Sequence, residues 1–552
     1  MRRVPWRSLP TALLPFAATL LAVGLGITGA PPFAHGASYT TVNLGGDTDD
    51  GSCQPLNFLS ARNCTLREAI NAANADATAD TIAFVDIAAA AGSVSPTSLL
   101  PTIINPLTID GAIASGKFRI DGASAGALAD GLRATASLTV RNLIVTRFSD
   151  NGIQLDAGAG FVSGSVIGTD ATGTPGLGNG RGILTANGTL AVIDSTVSGN
   201  VSTGPGGGIY KQSGTAFQLS NSIVSGNTAD DGGGIFIEVG GPVTFSNSTV
   251  TGNTTFGYGG GILKFASNDV LTLFNCTVSG NTAAYGGGIY SEFGSVILDS
   301  STVSDNVADL GAGIVHSGTQ ALTITNSTVS GNVAGSGAGG IYAVSGTVTV
   351  SNSTIANNTV NSDANGSGGG ISRAGGTVNL GNTILAGNVD SSSDSDCFGA
   401  LTSQGYNLIQ TLSAGCTISG VTTGNVTGQS ANLAPLALNA PGTTQTHAVL
   451  AGSPAIDAGS PACPLPFSDQ RGVARPQSIA CDIGAYESPF SAPPAPSVPA
   501  LPYLGLVLLA ALLLMSSIST GLRWSLFQVE RSARSESARR PDRRLRRPLL
   551  HR

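Results

Sequence analysis

Glu238 and Glu292 come closest to an acid–base pair in this sequence. Each stands three residues after an Ile, Ile235 or Ile289, that recurs through the middle of the chain, and Lys264 and His316 fall one column away. Two carboxylates across a sugar-sized gap, with a cation nearby, are what glycosidic cleavage uses. If successive repeats stack at the inter-strand spacing, the two glutamates lie about 9.6 Å apart, near the upper end for an inverting pair. Phe265 occupies the same column between them. That favours two solvated glutamates over a catalytic pair.

A second column follows the same Ile directly: Tyr210, Phe236, Leu263, Tyr290, Val315 and Tyr342. Facing solvent, it would be a stripe suited to stacking on sugar rings or on another protein, with Tyr210, Phe236, Tyr290 and Tyr342 as its ligand-binding residues. Covered by turn residues, it would be a packed stack instead. Two acidic loops offer carboxylates of the kind Ca²⁺ accepts: Asp47, Asp49 and Asp50, and Asp390, Asp394 and Asp396. Neither follows a full EF-hand pattern, and solvated loops are the plainer reading. No other cofactor is indicated.

Seven cysteines remain. Cys53 with Cys64, Cys397 with Cys416, and Cys463 with Cys481 form three locally spaced couples outside the repeats. They read as disulfides of an oxidising compartment, though sequence alone does not establish the connectivity. Cys276 is left over. It occupies the slot filled by Ser222, Ser248, Ser301, Ser327 and Ser353 in other repeats, which makes it a buried, inert thiol.

The elements that position these residues follow from the repeat. The Asn closing each "STVSGN"-like run falls at Asn200, Asn227, Asn253, Asn281, Asn306, Asn332, Asn358 and Asn388, in steps of 25 to 30 residues. The period signals a solenoid. Each repeat carries three short strand signals separated by turns, and Gly, Ser, Thr, Asn and Val dominate where a helix would want Ala, Leu, Glu and Lys. No room is left for a helix, so residues 101–430 should wind into an all-β, single-stranded parallel β-helix of about a dozen coils. The glycines of "GGGIY" would supply positive φ and close backbone approach, and the stacked Asn side chains would form a hydrogen-bonded ladder. Matches to GxGxxG are inevitable in a chain with 76 glycines, and none joins a strand to a helix as a nucleotide site requires. In "CTLREAINAANAD", Thr65 and Glu68 form a capping box ahead of an apolar face, a short helix sealing the N-terminal end of the solenoid.

The ends differ from the middle. Residues 1–36 have the basic start, apolar run and small-residue close of a signal peptide. Residues 489–500 are a Pro-rich linker, 501–519 an uncharged run long enough to span a bilayer, and 520–552 an Arg-rich tail expected on the cytoplasmic side. Between residues 37 and 500, 13 Lys and Arg face 30 Asp and Glu, a net charge of −17, which argues against nucleic acid as a partner.

Four stretches carry resemblances. "DTDDGSC" with "CTLREAINAANA" (domain 37–100) resembles the CSLREAI domain of secreted bacterial β-helix proteins. The "GGGIY" and "NSTVSGN" repeats are similar to those of polymorphic outer-membrane proteins and other right-handed, pectate-lyase-like parallel β-helices. "LAGSPAIDAGSPACP" with "SDQRGVARPQSIACDIGAYE", in domain 431–488, resembles the choice-of-anchor Q domain. "VPALPYLGLVLL" with its Arg-rich tail resembles C-terminal sorting signals of the IPTL type, with "VPAL" in place of that motif. The resemblances imply a secreted, surface-anchored, non-catalytic protein, an adhesin or extracellular structural element. They imply export and sorting machinery as partners, a membrane contact through 501–519, and a cell-surface glycan or protein as ligand. Because similar β-helices cleave acidic polysaccharides, a lyase or glycoside hydrolase is the alternative, although no "GHG" or "RIK" motif of the polygalacturonase kind is present.

Overall fold

The computed structural model describes residues 38–41, 47, 49, 64–75, 77–84, 92–170, 172–238, 240–265, 269–361, 368–391, 396–412 and 414–491. The chain divides into two compact units, Met1–Ala492 and Pro493–Arg552, and every described residue belongs to the first. The expected signal peptide, the 501–519 run, the Arg-rich tail, Cys53, Asp50 and Asp394 lie outside the described residues. Among those residues, no helix is long and apolar enough to cross a membrane.

One turn of the solenoid shows how the repeat builds it. Thr277–Ser279 forms a strand of one sheet, Gly280 turns the chain at φ +62°, and Asn281 follows. A short strand, Thr282–Tyr285, leads to Gly286–Gly288, then Ile289–Ser291 lies in a second sheet and Ser295–Asp299 in a third. Ser300, at φ +52°, closes the turn. Pairing is parallel and in register through about a dozen coils: Ile262, Ile289, Ile314 and Ile341 sit directly over one another. The inward positions, among them Ile289, Val296, Leu298 and Val278, are fully buried. Each such side chain contributes roughly 1.5–3 kcal/mol of hydrophobic stabilisation.

The coil carries four strands rather than three. The extra one is a two- to four-residue strand after the Asn, too short for alternation to mark it, and seven of these strands form a sheet of their own. The glycines divide their work. Gly286 has φ +66°, which an L side chain rarely adopts, whereas a Cβ on Gly288 would come within 2.6 Å of the Gly313 carbonyl oxygen on the next coil. The asparagines divide theirs as well: Asn247 and Asn275 hold left-handed turns at φ +48° and +55°, while Asn253 and Asn281 build the ladder. Each ladder Nδ2 donates to the Oδ1 of the next Asn at 2.8–3.0 Å, from Asn179 through Asn388. The last acceptor is Asp396, whose carboxylate receives both the backbone N–H and the Nδ2 of Asn388 and, on its other oxygen, the Thr411 N–H.

The N-terminal helix spans Leu66–Asn74 with the capping box formed, burying Leu66, Ala69, Ile70 and Ala73. Its Arg67 pairs with Asp47 at 2.8 Å and reaches the Ser98 and Leu99 carbonyls, partners that sequence reading did not find. At the other end, Leu433–Leu438 and Gln445–Val449 form an antiparallel hairpin. From it an irregular strap, closed by Cys463–Cys481, runs back along the outer face of the Thr-Val-Ser sheet. Thr302, Thr328 and Ser330 of that sheet hydrogen-bond Gln445, Gln470 and His447. Thr354 receives the Ala485 N–H, and Asn382 donates to Asp482 O. Residues that should face solvent, Thr302 and Ile384 among them, are therefore buried, whereas Ile223, beyond the strap, is 45 % exposed. Cys397–Cys416 ties the last two coils together; Cys64 is disulfide-bonded as well, and Cys276 is a buried free thiol.

Candidate functional site

Register brings Tyr210, Phe236, Leu263, Tyr290, Val315 and Tyr342 into one column on the outside of the Ile-containing sheet. The column is not an open stripe. Leu263 and Val315 are buried, Tyr210 is nearly so, and Phe236, Tyr290 and Tyr342 are half-buried. Aromatic residues on both flanks of the strand cover it. Tyr258 stacks on Tyr285 at 4.8 Å and meets Tyr290 edge-on at 4.9 Å. On the other flank Phe265 contacts Phe236 at 6.3 Å and Phe293 at 5.4 Å, both edge-on, while Phe236 stacks on Tyr210 at 5.2 Å. Seven rings thus form two clusters over four coils, Tyr258–Tyr285–Tyr290 on one flank and Tyr210–Phe236–Phe265–Phe293 on the other, and Tyr342 stands apart from them beyond Val315. The accessible rings flank the Ile-containing strand: Tyr258, Tyr285, Phe265 and Phe293 are each about 40 % exposed. Sequence reading placed Phe265 only between the two glutamates and did not single out Tyr258, Tyr285 or Phe293, because they sit outside the three-residue strand.

The site's polar groups lie at its N-terminal end. The Tyr210 hydroxyl donates to the Glu238 carboxylate, and the Arg181 guanidinium lies over the Tyr210 ring at 5.3 Å. Burial, reinforced by Glu238, holds the Tyr210 phenol well above the usual tyrosine range. Glu238, Phe265 and Glu292 occupy one column in adjacent coils, with Phe265 on the coil between the two glutamates. Lys264 and His316 do not face them. Both lie two residues after an inward Ile and therefore share its face, fully buried inside the solenoid. His316 Nε2 meets the Gln320 carbonyl at 2.9 Å, and Lys211, in the same interior column, donates to the Gly188 carbonyl at 3.0 Å. Burial lowers Lys211 and Lys264 to about 8 and depresses His316 as well.

The acidic candidates are occupied by protein groups. Asp47 accepts from Arg67 and Thr97, and Asp49 from Asn71. Asp390 is buried in a short strand, and Asp396 terminates the Asn ladder. Among the described residues no group of three or more His, Cys, Asp and Glu side chains is placed to hold a metal ion.

No curated protein matches the sequence. A solved pectate lyase, Pel9A, aligns at 13 % identity with a TM-score of 0.32, over 81 % of this chain and 96 % of its own. Residues 131–360 match the family described as "Right handed beta helix region", so the repeat array has the handedness its sequence resembled.

Proposed function

We propose that this is a secreted, surface-anchored, non-catalytic β-helix protein that binds a cell-surface glycan or protein through its aromatic face. The observation that carries the reading is the pair of ring clusters on one face, seven rings in all and four of them about 40 % exposed, fixed on a stack of paired strands. Rings held by neighbouring rings lose little freedom on binding, and their faces suit the C–H side of a sugar or an apolar protein patch. Secretion and anchoring rest on the composition of the two ends. The test is a glycan array and cell-binding assay with the full chain and with Tyr285→Ala plus Phe293→Ala. Loss of binding with an unchanged circular dichroism spectrum supports the reading; undiminished binding defeats it.

A polysaccharide-cleaving enzyme is the second reading, favoured by Glu238 and Glu292 two coils apart on the same face. The inward Lys264 and His316 weigh against it, as does the commitment of Glu238 to Tyr210. Product formation from an acidic polysaccharide, abolished by Glu292→Gln, would establish it.

A further inference from the structure

A second concave site lies where the strap meets the solenoid, away from the aromatic face. It is a cavity of about 320 Å³, floored by the turn residues Phe274, Asn275, Asp299 and Asn326 and roofed by the hairpin tip and the segment 466–472. Its volume falls within the range of small-ligand pockets.

The groups on its floor are acceptors short of donors. Asn326 is fully buried; its Nδ2 donates to the Ser468 carbonyl at 2.8 Å, and its Oδ1 has no partner. The cause is local: in the next coil Asn352 turns its own Nδ2 to the strap carbonyl of Leu465. Asp299 receives a hydrogen bond from its neighbour Ser300 at 2.9 Å and pairs with no cation. Arg471 lines the same cavity, but its guanidinium is committed to Asp469, to the Glu487 carbonyl and to the face of Tyr486. Burial accordingly raises the Asp299 carboxyl above the usual carboxylate range. The Asp299 carboxylate is an acceptor that a ligand hydroxyl would satisfy. Beside these acceptors stands an apolar surface, since Phe274 is paired directly with Asp299 on the adjacent strand.

We propose that this cavity binds one or two rings of an uncharged saccharide. A hydroxyl group would donate to Asp299, and the C–H face of the ring would lie on Phe274. A polyol supplies several donors and one apolar face together, the complement of an acceptor beside an apolar surface. Because the walls come from segments 142 residues apart, a bound sugar would also hold the strap closed.

The experiment is saturation-transfer NMR on the full chain with methyl pyranosides of glucose, galactose and mannose and with cellobiose and maltose as probes. Hydrogen exchange of the strap is measured alongside. At least one probe is expected to bind, to lose tenfold or more in affinity in both Asp299→Asn and Phe274→Leu, and to slow strap exchange in the parent chain only. Tyr285→Ala should leave this binding unchanged, which separates it from the aromatic face. Phe274→Leu keeps an apolar side chain of similar bulk, so a native circular dichroism spectrum should accompany the loss. The proposal is overturned if no probe binds, if binding survives both substitutions, or if methylammonium displaces the sugar and binds more tightly.

Discussion

Replacing Asn281 by Ala should destabilise the solenoid by about 3–7 kcal/mol, although the side chain is small, uncharged and part of no candidate site. Its Oδ1 accepts from the backbone N–H and the Nδ2 of Asn253, both at 3.0 Å, and its Nδ2 donates to Val250 O at 3.1 Å and Asn306 Oδ1 at 2.9 Å. All three ladder residues are fully buried, so no water replaces these bonds. The Asn253 N–H is left without a partner, about 1–3 kcal/mol, and the other three bonds each contribute roughly 0.5–1.5 kcal/mol. In a solenoid whose coils contact only their neighbours, the damage should be local. Urea unfolding followed by circular dichroism gives the total, and hydrogen exchange at Asn253 locates it. The control is Asn247→Gly: that Asn stands in a left-handed turn and accepts one exposed bond from Asn275, so Gly should change stability by no more than about 0.5 kcal/mol. A loss below about 1 kcal/mol for Asn281→Ala, or exchange at Asn253 no faster than in the parent, would refute the ladder as a source of stability.

Gly288→Ala should cost about 2–3 kcal/mol, because its Cβ would meet Gly313 O at 2.6 Å and Asn306 Nδ2 at 2.9 Å. Gly280→Asn should be close to neutral by the same urea assay, since Asp305 and Asn357 already hold that slot at φ +56° and +58°. Cys276, pushed up to about 12 by burial, should stay unmodified by iodoacetamide at pH 8.5 in the folded chain and react only after unfolding. Asp482 in the strap is raised by burial to about 7 from an ordinary 3.8, so the folded chain holds its proton more tightly than the unfolded one. The stability it contributes is complete below about 3.8 and is lost as pH rises through about 7. Hydrogen exchange in the strap, corrected for intrinsic rates, should therefore be less protected at pH 8 than at pH 6.5.

The interior of this protein was legible because each coil solves the same problem. The Ile after the glycines, the Val of Thr-Val-Ser and the ladder Asn recur because a one-residue shift would turn the buried side chain outward or break a bond to the next coil. Those constraints are local, so a repeat period reveals them. Lys264 and His316 were read as neighbours of the glutamate column, when parity with Ile262 and Ile314 already put them inside. Parity is the stronger guide in a two-residue-period strand, provided the buried group finds a carbonyl, as His316 does at Gln320. The strap could not be read in the same way. Its contacts join Asn326 to Ser468 and Thr302 to Gln445, and nothing within either segment marks the other.

The exterior obeys a different rule, and function follows from it. Outward positions are free of the stacking constraint, so departures from the repeat accumulate there: Phe265 between two glutamates, Tyr285 before the glycines, Asp299 and Phe274 beside one another. None of these substitutions helps a coil close. Tyr258 and Tyr285 hold rings at 40 % exposure, which leaves apolar surface in water, and Asp299 holds a carboxylate in a cavity with no cation paired to it. Each is a local cost to folding that the regular Thr, Ser and Asn of the neighbouring coils avoid. Sites that weaken an otherwise self-consistent repeat are where a ligand can restore what folding leaves unsatisfied. By that criterion the aromatic face and the strap cavity stand out from the rest of the solenoid surface. The Glu238–Tyr210 pair does not, because its hydrogen bond is already made within the protein.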